Sequence, residues 1–475
     1  MAMTNLTQPF LVDGDWRSGG APIEIRSPFD GVLVGRVGSA SAQDAADAID
    51  AAERAMLAPL ARWQRGDILE RVSALILRDT EVLAQSIARE AGKPIRLARI
   101  EADRARTTLA LSAGEARRLH GEQVPIDGYQ PGAGRTAFTV RVPAGIVAAV
   151  TPFNFPLNLV CHKVAPAIAA GCAVVLKPAD RTPLTALMLA RLFEEAGLPA
   201  GWLNVVVGPP EEIVGVLTKD DRVRVLTFTG SARIGWMLRA NAPKKKVMLE
   251  LGNASPLIVA RDADLDLAAT KIAAHAFTFA GQTCVSVQRV LVDDSVHDDL
   301  LERLLPKVEA LKVGDPLDEA NDVGPVIDRV ARDRIKSWID EAVAEGARVA
   351  TGGVLEGEHL RPTVLVDTTP SMRVCTAEIF GPVCSLVRVR DFDEAIGIAN
   401  GTEYGLQASV FTTSIKLAMR AVDELDFGSV LINEAPEFRV DQMPYGGTKA
   451  SGNTKEGPAH AILEMTEEKL VVLAG

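Results

Sequence analysis

Between Pro143 and Glu250 the sequence alternates short runs of Val, Ile, Leu and Ala with amphipathic stretches, the pattern of strand-helix-strand units. Five runs have strand character: Gly145–Val150, Ala173–Leu176, Leu203–Val207, Val223–Phe228 and Val247–Leu249. Strands joined by helical crossovers run parallel, so all five carboxyl ends should meet at one edge of a sheet, where α/β proteins bind ligands. Each run ends in a polar or Gly-rich turn: Thr151-Pro152-Phe153-Asn154, Lys177-Pro-Ala-Asp180, Gly208-Pro-Pro, Thr229-Gly230-Ser231 and Glu250-Leu251-Gly252. Chain reversal accounts for the Gly and Pro. It does not account for a Lys and a Glu at strand ends, and five turns converging on one crevice predict a binding site.

A second alternation follows. It comprises strand Pro256–Val259, helix Asp264–Ala280, strand Val287–Val292, helices His297–Leu311 and Val330–Glu345, and strands Val364–Val366, Val383–Val389, Ala408–Thr412 and Val430–Asn433. Ahead of both sheets, Ser41–Leu57, Trp63–Glu90 and Pro94–Leu119 repeat apolar residues three and four apart, as packing helices do. The fold class is therefore α/β, and 475 residues suit two or three domains. The segment Gln123–Val142 and the tail from Ala461 to Leu473 look like excursions that pair with another subunit, since an apolar strand edge needs a cover. The first residues, Met1 to Phe10, lack the basic and apolar segments of a secretory leader.

Composition excludes other classes. The 62 acidic against 51 basic residues give a net charge of −11, which repels phosphate backbones and anionic lipid, so no nucleic-acid or membrane partner is expected. Five dispersed cysteines form neither a disulfide framework nor a zinc ligand set, so no metal is expected and a reducing, cytoplasmic setting fits. The chain has no G-x-G-x-x-G, no phosphate-binding G-x-x-x-x-G-K-[ST], no H-E-x-x-H and no G-x-S-x-G, which leaves the usual nucleotide, metalloprotease and serine-hydrolase readings unsupported. Cys161, Cys172, Cys375 and Cys384 lie in apolar or turn surroundings that suit small buried side chains. Cys284 instead sits in the polar, Gly-opened loop Gly281-Gln-Thr-Cys284, where a thiol can be reached and ionised. Gly230-Ser231 before a helix suits either a phosphate or an ordinary cap. Asp180 suits either a ribose diol, with preference for NAD over NADP, or a first-turn charge.

Taken together, Thr151-Pro-Phe-Asn-Phe-Pro156, Leu176-Lys-Pro-Ala179, Phe228-Thr-Gly-Ser231, Leu249-Glu-Leu-Gly252, Gly281-Gln-Thr-Cys284, Glu378-Ile-Phe-Gly-Pro382 and Pro444-Tyr-Gly-Gly447 resemble the aldehyde dehydrogenase superfamily, in order and spacing, over nearly the whole chain. The resemblance implies a parallel-sheet cofactor domain (residues 1–122 and 144–251), an α/β catalytic domain (252–445) and a β oligomerisation arm (123–143 and 446–475), in a homodimer or homotetramer. It implies an aldehyde as substrate and NAD as cofactor, with NADP possible. Two loops depart from the family pattern, Gly252-Asn-Ala-Ser255 and Gly452-Asn-Thr-Lys-Glu456, neither at a catalytic position.

The same resemblance assigns roles. Cys284 would attack the aldehyde carbon, Asn154 and the backbone N–H of Cys284 would hold the oxyanion, and Glu250 would activate the water that hydrolyses the thioester. Lys163 and Glu456 match a proton path from that base, or equally a plain ion pair. Thr151, Pro152, Phe153, Lys177, Asp180, Gly208, Gly230, Ser231, Leu251, Glu378 and Phe380 would line the cofactor site. Phe155, Leu159, His162, Arg439 and Tyr445 border the substrate tunnel, with His162 placed two turns past Asn154 on one helix. Arg104, His162, Arg289 and Arg439 together would suit a small polar or anionic aldehyde, although Arg104 and Arg289 taken singly read as structural residues. Two alternatives stand beside this: a coenzyme A-acylating relative, disfavoured by Glu250, and a relative that has lost its chemistry and serves as a binding or structural protein.

Overall fold

The computed structural model describes residues 7–474; Met1–Leu6, most of the stretch read above as lacking a leader, lies outside them. The first sheet runs in the order Lys246–Glu250, Val223–Thr229, Ile146–Val150, Val174–Lys177, Leu203–Val205, Phe10–Val12 and Asp15–Arg17. Its first five strands are the expected ones and are parallel. The last two are an antiparallel hairpin that the sequence reading, which took this region as mainly helical, missed. Val12 pairs with Asp15 across Asp13-Gly14, both at positive φ (56° and 77°), which is the two-residue turn whose twist matches that of the strands.

Register aligns the strand ends. Thr229 lies opposite Glu250, Phe228 opposite Val150, and Val150 opposite Lys177, so the turns that follow them share one rim. The second sheet runs Arg348–Thr351, Thr363–Val366, Val383–Val389, Arg289–Asp293, Pro256–Val259, Gln407–Phe411 and Ser429–Ile432, parallel except for Arg348–Thr351.

Each sheet is the floor of its own hydrophobic core. One core extends from Phe10 to Leu251 and the other from Leu257 to Ala435, so the chain changes core across the Gly252–Ser255 loop. Ala461, Ile462 and Met465 return to the first core through the helix Pro458–Glu464. Only the final strand of the tail therefore leaves the body, a shorter excursion than the segment 446–475. That strand, Thr466–Ala474, pairs antiparallel along its whole length with Arg135–Pro143 of the same chain, so the two excursions form one arm together. Leu470 and Leu473 remain more than half exposed on it.

The expected helix Trp63–Glu90 is two helices, Arg62–Arg78 and Thr80–Ala91, that meet at Asp79. The fully buried helix Asn158–Ala170 has Leu157 at its N-cap, a residue that cannot cap. A carboxylate oxygen of Glu101, on the helix Ile95–Arg118, accepts the N–H groups of Leu157 (2.9 Å) and Asn158 (3.1 Å) in its place, supplying the acceptor and negative charge that a helix start favours. Among the described residues no helix is long and apolar enough to cross a membrane.

Candidate active site

The helix expected over Asp264–Ala280 ends at His275. Phe279, Ala280 and Gly281 follow at φ of 48°, 54° and 67°, and two consecutive non-glycine residues in the left-handed region are strained. They turn the buried chain into the loop that carries Cys284. At Gly281 a Cβ would lie 2.0 Å from the Gly381 carbonyl oxygen, so glycine alone lets this loop pack on the Glu378–Gly381 turn. Gln282 pins it further: its side chain donates to the Phe279 and Pro325 carbonyls and accepts the Ile327 N–H. Cys284 is the only one of the five cysteines that is not fully buried. Its sulfur lies 2.8 Å from the Tyr445 hydroxyl. Burial pushes the thiol up to about 12, against the pull of the Tyr445 hydrogen bond and the Arg439 charge.

Asn154 stands in the turn before the helix Asn158–Ala170, not on it with His162 as expected. Its amide nitrogen donates to the Gln282 carbonyl at 2.8 Å, which places the amide against the cysteine loop and leaves its second N–H for another acceptor. Glu250 closes its strand fully buried, and neither of its carboxylate oxygens has a partner. Burial, reinforced by the charge of Glu456, raises its carboxyl well above the ordinary range, against Arg439, Lys163 and Lys455. The hydroxyls of Thr151 and Thr229 and the amide oxygen of Asn154 are also buried without partners. A buried polar atom left unpaired costs about 1–3 kcal/mol, so four such residues on one rim mark a place where bound molecules complete the hydrogen bonding.

Along the same rim, Lys177 donates to Asp180 (2.5 Å) and to the Pro178 carbonyl, and burial lowers its amine despite Asp180. Ser231 starts the helix Ala232–Asn241 with no side-chain cap, so N–H groups of its first turn remain free to meet an anion. The Gly230 N–H is taken by the Glu250 carbonyl. Leu251 is buried with its N–H on the Ser451 carbonyl, and Gly208 abuts the backbone of Ala40. Glu378 accepts the Asn253 N–H at 3.2 Å, and burial raises its carboxyl to about 7. A Cβ on Gly252 would lie 2.1 Å from that carboxylate. Phe380 meets Phe153 edge to face at 5.9 Å, after Pro152 has turned the chain out of its strand. An anion-accepting helix start, a Lys-Asp pair and a buried carboxylate along one crevice fit the phosphates and two ribose diols of a dinucleotide.

Beside Cys284 lies a buried network centred on a residue the sequence reading did not select. Asp441 accepts from His162 (2.9 Å), Asn158 (3.1 Å) and Arg104 (2.9 and 3.2 Å). These donors outweigh its own burial and hold its carboxyl well below the usual range. His162 is pushed down by burial and by Arg439. Arg439 reaches His162 at 3.2 Å and Glu456 at 2.9 Å, and Glu456 also pairs with Lys163 at 3.2 Å. Arg104, His162 and Arg439 therefore do come together, but Arg289 does not join them. Its guanidinium donates to the Ala254, Ile398 and Ala399 carbonyls inside the second core, a structural role.

Phe155 lies 3.7 Å beneath the ammonium of Lys93, which pairs with Glu101, and Leu159 is buried nearby on the fully buried helix. Asp441 gave no signal, being a single acid in an aperiodic loop. Glu101 gave one: it falls on the apolar face formed by Ala98, Ala102, Ala105 and Leu109, where a charge needs a partner. No group of His, Cys, Asp and Glu side chains among the described residues is arranged to hold a metal ion.

Comparison with known proteins places these residues in context. The model of the aldehyde dehydrogenase family matches residues 16–471. A 3-sulfolactaldehyde dehydrogenase from Priestia aryabhattai is 44% identical over 475 residues, covering 99% of this chain and 100% of that one. Aldehyde dehydrogenase 21 from Physcomitrella patens, solved in complex with the reaction product succinate, is 38% identical with a TM-score of 0.96, covering 99% of both chains. The NADP-dependent glyceraldehyde-3-phosphate dehydrogenase from Bacillus halodurans, solved with NADP, is 36% identical with a TM-score of 0.95, covering 99% of this chain and 100% of the other.

Proposed function

The chain belongs to the aldehyde dehydrogenase family, and we propose that this NAD(P)-dependent enzyme oxidises a small polar or anionic aldehyde to its acid through a thioester on Cys284. The observation that carries the mechanism is the convergence of three residues distant in sequence: a half-buried thiol, an amide hydrogen-bonded to its loop, and a buried carboxylate with both oxygens unpaired.

The Cys284 sulfur attacks the carbonyl carbon, and the negative charge that develops on oxygen is met by the second N–H of Asn154 and the backbone N–H of Cys284. A nicotinamide held in the crevice by Glu378 and Phe380 would accept the hydride that leaves the former carbonyl carbon as the thioester forms on Cys284. Glu250 then takes a proton from water as that water attacks the thioester, and a carboxyl raised by burial is well matched to this work near neutral pH. The charged Lys163–Glu456 pair lies behind Glu250, Lys163 drawing its carboxyl down and Glu456 pushing it up. Thr151, Pro152, Phe153, Lys177, Asp180, Gly208, Ser231, Leu251, Glu378 and Phe380 line the dinucleotide crevice between the two cores.

Charge around the pocket supports the substrate class. Arg104, Lys163 and Arg439 face only two ionised carboxylates, Asp441 and Glu456, in their ion pairs, while His162 is pushed towards its neutral form and Glu250 towards its acid form. Within these ion pairs three cations meet two carboxylates, an excess that favours an anionic substrate while Glu250 holds its proton. The name of the Priestia relative and the succinate in the Physcomitrella complex agree with such a substrate. Initial rates of NADH formation with lactaldehyde, sulfolactaldehyde, succinate semialdehyde and hexanal test the assignment. The charged or hydroxylated aldehydes should have the higher kcat/KM; hexanal exceeding all of them refutes it.

The exposed apolar strand Thr466–Ala474 supports a homodimer or homotetramer joined through this arm, which sedimentation of the purified protein measures directly.

A further inference from the structure

Tyr445 was expected only to border the substrate tunnel, yet its hydroxyl touches the reacting sulfur. The ring is fully buried, and the structure gives its hydroxyl one hydrogen-bond partner, Cys284 Sγ at 2.8 Å. The contact is built from several directions. The backbone of Tyr445 is bridged to that of Glu456 in both directions, N–H to carbonyl at 3.2 Å and carbonyl to N–H at 2.5 Å. The guanidinium of Arg439 stacks on the ring with its carbon 3.8 Å from the centroid, and is itself held by Glu456 at 2.9 Å. A side chain serving merely as an apolar wall needs none of this: phenylalanine would fill the space without burying an oxygen.

We propose that the Tyr445 hydroxyl is a catalytic hydrogen-bond donor to the Cys284 thiolate, with Arg439 as the positioning residue that holds the ring against the sulfur. This rests on Cys284 being the nucleophile. In the resting state either group can donate in this bond. Once the thiol proton has passed to a Glu250 carboxylate oxygen, only the phenol O–H can donate, and it does so to the sulfur anion. The phenol keeps its proton throughout, because burial and the neighbouring sulfur charge make it a far weaker acid than in water. The sulfur lone pair then forms the C–S bond while the carbonyl π pair moves to oxygen, and nothing is oxidised in this step. The same O–H serves again at the end, when water attacks the thioester, the C–S bond breaks and its electron pair returns to sulfur. Charge-assisted bonds of this kind are the stronger ones, and a buried thiol with few other donors depends on them.

The experiment is the pH dependence of iodoacetamide alkylation at Cys284, followed by mass spectrometry of the intact protein and its peptides. In Tyr445→Phe the midpoint should rise by about one to two pH units, so that alkylation near neutral pH slows about tenfold or more, and the acid limb of kcat/KM should move with it. Arg439→Met should shift the midpoint in the same direction. If Tyr445→Phe is poorly folded, incorporation of 3-fluorotyrosine at 445 keeps the shape and strengthens the donor, so the midpoint should fall. An unchanged midpoint in the folded Phe variant, or in the fluorinated protein, overturns the proposal even if KM changes. Failure of the underlying reading looks different: Cys284→Ala would retain turnover, or alkylation of Cys284 in the unaltered enzyme would leave activity intact.

Discussion

The site works through unpaired atoms held in place by paired neighbours. Asn154 spends one N–H on the Gln282 carbonyl and keeps the other for the oxyanion, so Asn154→Ala should lower kcat about 10²- to 10³-fold, measured as steady-state NADH formation. The Glu250 carboxylate is buried with no partner of its own. Glu250→Gln should release about one NADH per subunit in a burst and then stall, because the acyl group stays on the cysteine; a linear time course without a burst would show that hydrolysis does not need this carboxylate. The sign of the pH effect follows from the raised carboxyl. A base whose proton is held more tightly than usual becomes available only as pH climbs, so deacylation should speed up through the neutral range in the unaltered enzyme and lose that dependence in the Gln variant. Glu456 behaves oppositely. Its burial is outweighed by Lys163 and Arg439, and its carboxyl falls to about 2 from 4.5, so the stability it lends is complete above about 4.5 and is lost as pH falls towards 2.

At the level of elements, positions were legible where a local rule decides them and hidden where tertiary packing does. Period and turn chemistry located the five parallel strands and the polar residues at their ends, and a polar, Gly-opened loop set Cys284 apart from four cysteines in apolar or turn surroundings. The hairpin carried its own signal, an Asp13-Gly14 pair after the apolar run Phe10–Val12, and was overlooked because the flanking strands are only three residues long. The kink at Phe279 and Ala280 carried none: both residues suit a helix, and contacts with the Glu378–Gly381 turn impose the strained path. Gly281→Ala combines that strain with a backbone collision against the Glu378–Gly381 turn, and should abolish turnover and weaken NAD binding, read by fluorescence quenching. Asp441 is likewise a tertiary fact, whereas Glu101 stood out on an apolar helix face. Glu101→Ala would strand the buried Lys93 and uncap the helix Asn158–Ala170, a loss of about 3–5 kcal/mol that should appear as a lowered thermal midpoint.

Over the whole molecule, two α/β cores meet across the loop Gly252–Ser255, and the crevice between them would take its catalytic groups from both sides: Glu250 and Asn154 from the first, Cys284 from the second. Neither core alone holds a working site, which explains why the chemistry-bearing residues are spread from Arg104 to Glu456. The central claim is that these distant residues act on one carbonyl through the sulfur of Cys284. Intact-mass and peptide analysis of Glu250→Gln, quenched after mixing with NAD and lactaldehyde, tests it most directly. The prediction is one acyl group per subunit, on the peptide containing Cys284, in step with one NADH. NADH formed with no adduct, or with the adduct on another residue, would contradict it.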